Sequence, residues 1–158
     1  MNFPFAPWLL LPAILSAAPT QPLGGGVLKI QGQAYRFEPA AAFLLPPTQG
    51  LGRSLHLQGK LVPASGHGDF QFSMTVLLKG GLYMLVLQRK GRGSYPDTWA
   101  ATRGTRVEVR SLEDRPGGRV VLRCQGPLNG VIALRPETGS WSGQIWATLP
   151  ALPGAELK

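Results

Sequence analysis

The chain is poor in the residues from which most enzyme centres are built. It has one cysteine, Cys124, so no intrachain disulfide forms and no CxxC pair or zinc knuckle exists. There are two histidines, His56 and His67. They fall near opposite ends of one alternating run, roughly 20 Å apart as a strand, so they do not share a metal ion. His67 with Asp69 is too few ligands for a structural site. No metal or other cofactor is expected.

Acids are equally scarce, at 8 against 16 Lys and Arg. Glu113 and Asp114 sit beside Arg115, which keeps carboxylates ionised, so neither makes a raised-pKa general acid. No GxSxG nucleophile elbow occurs. "SGHGD" holds Ser65, His67 and Asp69, the residue types of a hydrolase triad. Three alternating residues in one glycine-rich turn do not surround a reacting centre, as a triad must. A polar turn is the simpler reading, and catalysis is not expected.

Also missing are long helical patterns and membrane-length apolar runs. Trp8 to Leu15 is apolar but short and broken by Pro12, and the first side-chain charge is Lys29. With the small residues Ser16-Ala17-Ala18 behind it, this stretch resembles a secretory signal peptide. The expected organisation is a signal over 1–18, one β domain over 19–149 and a loose tail over 150–158. The mature chain then has no stable membrane span and is exported, to a periplasmic, cell-surface or extracellular location.

What the sequence does contain is turns and alternation. Gly 21 and Pro 15 punctuate short apolar runs in a chain that is 44% hydrophobic and only 15% charged. That spacing predicts many short strands. Val27–Gln31 and Ala34–Glu38 flank Gly32, and "AAAFLL" before Pro46-Pro47 is expected to form one helical turn. "SLHLQGKLV" and "DFQFSMTVLL" match their apolar faces when Leu61 opposes Phe70, Leu57 opposes Met74 and Gly59 opposes Phe72. A one-residue slip would reverse them. Gly80-Gly81 is a hairpin signal, expected to set Leu78 opposite Tyr83, Val76 opposite Leu85 and Met74 opposite Leu87.

A second meander pairs Val109 with Leu122, Val107 with Cys124 and Glu108 with Arg123. It is expected to turn again through "QGPLNG" and "RPETGS". Ile132, Leu134, Trp141, Ile145 and Leu149 then point inward, Trp146 outward, and Cys124 is buried and inert. The architecture expected is an antiparallel meander of about 8–10 strands, forming a β-sandwich or a small up-and-down barrel.

Function has to be read from surfaces. The net charge of +8 favours an anionic partner. The registers place Arg106, Arg110, Arg119, Arg123 and Arg135 on one outer face. The stretch "QRKGRGSYPDTW" adds Arg89, Lys90 and Arg92, with Tyr95 and Trp99 as stacking residues, unless it is only a solvated connection. Arginine forks suit phosphate, sulfate and carboxylate groups.

The leading expectation is an exported, non-catalytic module of the cell envelope that binds an anionic polymer or lipid headgroup. The alternative is a lipocalin-like carrier with an apolar lumen lined by Phe70, Phe72, Met74, Tyr83, Leu85 and Trp141. An outer-membrane barrel or a hydrolase ranks below both. Leu77, Leu82, Met84 and Val86 form an outer apolar patch suited to a protein partner.

Overall fold

The computed structural model describes residues 23–65, 68–91 and 93–150. These form nine antiparallel strands: β1 (Gly24–Ile30), β2 (Gln33–Leu45), β3 (Ser54–Pro63), β4 (Phe70–Leu77), β5 (Gly81–Arg89), β6 (Asp97–Ala101), β7 (Arg106–Leu112), β8 (Arg119–Ile132) and β9 (Arg135–Thr148). The sheet order is β6-β5-β4-β3-β2-β1-β9-β8-β7, and β6 also pairs with β8. That pairing closes a ring of eight strands, with β7 as an extra strand on β8. The all-β meander therefore takes its barrel form. The expected signal segment, Arg92, His67 and the tail after Pro150 lie outside the described residues.

Where two runs alternate clearly, the apolar match fixes the register. Leu61 opposes Phe70, Gly59 opposes Phe72 and Leu57 opposes Met74. Val109 opposes Leu122, Glu108 opposes Arg123 and Val107 opposes Cys124. Each pairing puts its apolar members inside and its polar members outside.

Several expected turns are instead strand. "AAAFLL" continues β2 to Leu45, because Ala41 to Leu45 each find a ladder partner on β3, with Ala40 as the extra residue of a bulge. "QGPLNG" lies inside β8 and "RPETGS" inside β9, since the two strands pair without a break from Arg119↔Thr148 to Ile132↔Arg135. Their turn is Ala133 and Leu134, at φ 49 and φ 65. Positive φ at both central residues is the I′ geometry that suits strand twist, here built without glycine. The Ala133 N–H donates to Oδ1 of Asp97 at 2.8 Å, which helps hold this costly conformation. Leu134 is left 63% exposed at the tip rather than inward.

The β4–β5 hairpin also departs from expectation. It closes as Leu77↔Gly81 and Val76↔Leu82, then shifts register so that Thr75 opposes Met84. Tyr83 is the extra residue of this bulge. It points out and is 58% exposed, so it does not line the interior. Leu82 faces inward beside Val76 and packs on the core, so it leaves the outer patch.

Pro127 explains the break between β6 and β7. Proline has no N–H to give a ladder. Opposite it the partner strand leaves the sheet through Thr102–Thr105, with Gly104 at φ 95. The Thr105 hydroxyl donates to the Pro127 carbonyl at 2.6 Å. Pairing resumes at Arg106↔Gln125.

The interior is one apolar cluster with Phe37, Phe70, Phe72, Met74, Leu85, Trp99 and Trp141 among its buried members. An eight-stranded barrel has just enough room for such side chains. Trp99 fits because β8 and β9 present glycines beneath it. A Cβ at Gly130 would lie 2.5 Å from Cε3 of Trp99, and one at Gly139 would lie 2.9 Å from its Cη2.

Candidate functional site

Two regions concentrate polar chemistry. One is the outer face of β7, β8, β9 and β1. Odd-numbered β8 residues point outward, so Arg119 and Arg123 share that face, roughly 13 Å apart along the strand. Arg106 lies on the neighbouring strand opposite Gln125. One continuous row of paired residues then runs from Arg106 through Gln125 and Ser142 to Lys29. Arg106, Arg119, Arg123 and Lys29 are all exposed. Among the described residues none of these four cations makes an ion pair within 4.0 Å.

Arg119 is oriented as well as exposed. Its guanidinium carbon sits 4.2 Å from the centroid of the Trp146 ring. The indole lies against Gly25, where an added Cβ would stand 3.4 Å from its Nε1. The glycine gives the ring a seat, and the ring gives the guanidinium a platform. Trp146, outward as expected, thus joins the candidate face, although its contact with Arg119 was not expected from the sequence. Its signal was the outward parity of an aromatic residue beside an arginine strand.

Two expected members fit this face less well. Arg110 sits in a bulge between Val109 and Ser111 and pairs with Glu108 at 3.5 Å. Glu108 therefore engages Arg110, not the Arg123 directly opposite. Arg135 opposes the inward-parity Ile132, because the two-residue turn reverses the alternation assumed for it. It stands at the barrel rim, apart from the other arginines.

The second region is the barrel mouth, where the β1–β2, β5–β6 and β8–β9 connections gather. Here the stretch Gln88–Trp99 takes a different role from the one expected. Arg89 is half-buried. Its Nε donates to Oδ2 of Asp97 at 3.1 Å, and its guanidinium carbon lies 4.7 Å from the Phe70 ring centroid. Trp99 is 4% exposed and belongs to the core, so it offers no face for stacking from solvent. Lys90 and Tyr95 are exposed on the connection itself. The mouth holds a cavity of about 280 Å³ bordered by Tyr35, Phe70, Arg89, Trp99 and Glu137. Tyr35 donates to Oε1 of Gln33 at 3.1 Å. Burial pushes the Tyr35 phenol above its ordinary pKa, against the lowering effect of Arg89.

The remaining candidates are dispersed. Ser65 and Asp69 are exposed. Nδ1 of His56 lies 2.9 Å from Oγ1 of Thr75, and its ring packs on Phe43 at 5.1 Å. Asp114 pairs with Arg53 rather than Arg115, and that bond holds its carboxyl below the usual range. Among the described residues no group of three His, Cys, Asp or Glu is placed to hold a metal. Cys124 is buried, and desolvation pushes its thiol up to about 12. Phe70, Phe72, Met74, Leu85 and Trp141 are buried in the core.

In comparisons with known proteins, no family model, no curated protein and no solved structure matches the chain. The fold therefore defines the class, a small β-barrel domain, and function has to be argued from the two regions above.

Proposed function

We propose that this protein is a non-catalytic binding module whose outer β7–β8–β9–β1 face engages an anionic polymer. The observation that carries the reading is the set of exposed cations Lys29, Arg106, Arg119 and Arg123 on adjacent strands, with Arg119 held on Trp146. Cations in fixed positions lose less freedom on binding than freely moving ones. Their spacing suits a partner with repeated charge, such as an acidic glycan, a cell-wall polymer or a nucleic acid strand, rather than one small anion. A lipid headgroup surface offers the same chemistry. Lys90 and Arg92 are left as peripheral contributors, and Leu77, Met84 and Val86 as a separate protein-facing patch. The apolar stretch at residues 1–18, read as an export signal, supports a cell-envelope location for the module.

Two observations weigh against the alternatives. The interior is apolar, while Lys29, Arg36, Glu38, Lys60, Glu108 and Arg123 are exposed on the outside. A membrane-spanning barrel needs the reverse, an apolar band outside and a polar lumen. Of the lining expected of a lipocalin-like carrier of a small apolar ligand, Phe70, Phe72, Met74, Leu85 and Trp141 are packed in the core and Tyr83 lies outside.

The test is binding to heparin and to single-stranded DNA over a salt series. The wild type should bind with a strong inverse dependence on salt. A chain with Arg106, Arg119 and Arg123 all changed to Gln should lose at least about tenfold in affinity, with a salt slope smaller by about 2–3. Equal retention of the two chains would overturn the reading.

A further inference from the structure

The mouth cavity combines features that the outer face lacks. Arg89 comes from β5 and Glu137 from β9, strands separated around the ring by β6 and β8. They therefore bring opposite charges to different parts of one opening. Asp97 accepts the Nε–H of Arg89, which fixes the guanidinium over Phe70. Its two terminal nitrogens carry four more N–H groups, part of which the neighbouring Tyr35 hydroxyl engages, and the side chain borders the cavity. Glu137 is exposed and, among the described residues, makes no ion pair. Tyr35, Phe70, Trp99 and Gln33 line the same opening.

We propose that this mouth binds a small zwitterion with an apolar body, of the size of a free amino acid. Its carboxylate meets the terminal N–H groups of Arg89, where planar, paired donors match two oxygens. Its ammonium group lies toward Glu137, and its side chain rests against the aromatic lining. A bare carboxylate would face Glu137 uncompensated, and a bare amine would face Arg89. A molecule carrying both charges satisfies both walls. The volume of about 280 Å³ is that of roughly nine waters, and because the mouth is open it suits a ligand of about ten to twelve non-hydrogen atoms. The outer arginines take no part, so this site stands or falls independently of polymer binding.

The experiment is calorimetric titration of the purified chain with phenylalanine and leucine, alongside N-acetylphenylalanine and phenylalaninamide. The free amino acids should bind, and each single-ended derivative should bind at least about tenfold more weakly. Glu137→Gln, an exposed change, should erase the preference for phenylalanine over N-acetylphenylalanine. Arg89→Gln should erase the preference over phenylalaninamide, in a chain whose circular dichroism matches the wild type. Absence of heat with every compound at about 10 mM, or preferences unchanged in Glu137→Gln, would overturn the proposal.

Discussion

Asp97 holds Arg89 across the β5–β6 pair, Nε to Oδ2 at 3.1 Å, while its other oxygen accepts the Ala133 amide at 2.8 Å. One carboxylate thus ties the facing ends of β5 and β6 to the distant β8–β9 turn. It is buried, and its loss would leave a half-buried guanidinium and a strained turn uncompensated. Asp97→Ala is expected to cost about 2–3 kcal/mol, measured by urea unfolding. A loss below about 0.5 kcal/mol, the level of an ordinary surface change, would deny the carboxylate this role.

The seat of Trp99 makes a second prediction. Gly130→Ala and Gly139→Ala each place a methyl group against the indole, at 2.5 Å and 2.9 Å. Overpacking of this kind costs about 1–3 kcal/mol. Gly52 has no neighbour within 4 Å of an added Cβ, so Gly52→Ala should stay within about 0.5 kcal/mol. Thermal unfolding of the three variants would show the contrast.

Alkaline pH supplies a third. Cys124 is held to about 12 in the folded chain, against an ordinary 9.0 when exposed. A folded-state pKa above the unfolded one gives stability that is complete below the unfolded value and lost as pH rises. The loss should therefore begin near pH 9 and continue toward 12, with a slope from this one group of about 1.4 kcal/mol per pH unit. Tyr35, also raised, adds in the same direction. Cys124→Ala should flatten this decline even if it lowers stability at pH 7. A pH profile of identical slope in both chains would show that the thiol does not contribute.

Trp146 offers a fourth, because its support of Arg119 separates orientation from charge. Trp146→Leu keeps every cation but removes the platform 4.2 Å below the guanidinium. Heparin affinity should fall by about two- to fivefold, in keeping with an exposed cation–π contact. The salt slope should not change. A fall in the slope would mean that whole charges had left the interface.

Much of this barrel was legible in the residues, for a definite reason. Where two neighbouring runs both alternate, as around Leu57 and Met74 or Val107 and Cys124, only one register buries both faces. The misread places are those where the period of two fails. Tyr83 bulges out of β5 and shifts the pairing beyond it. Ala133 and Leu134 make a turn that normally announces itself with Asn or Gly. Pro127 looked like a turn, yet it stays in β8 while its partner strand is interrupted instead. The outer arginine face followed from parity, so Arg106, Arg119 and Arg123 were found, and Arg135 was lost to the misread turn. The bond from Asp97 to the Ala133 amide could not be foreseen, since it joins strand ends that only barrel closure brings together.

That closure is narrow. Four residue pairs join β5 to β6, from Val86↔Ala100 to Arg89↔Asp97, and four join β6 to β8, from Thr98↔Val131 to Ala101↔Leu128. Every other link in the ring but β1 with β9 joins strands that are neighbours in the chain. A short strand held by few ladder bonds is where local opening costs least. The amides of β6 should therefore exchange with deuterium earlier than those of β3 and β4, so the ring breathes through its shortest strand while the rest of the cylinder stays shut.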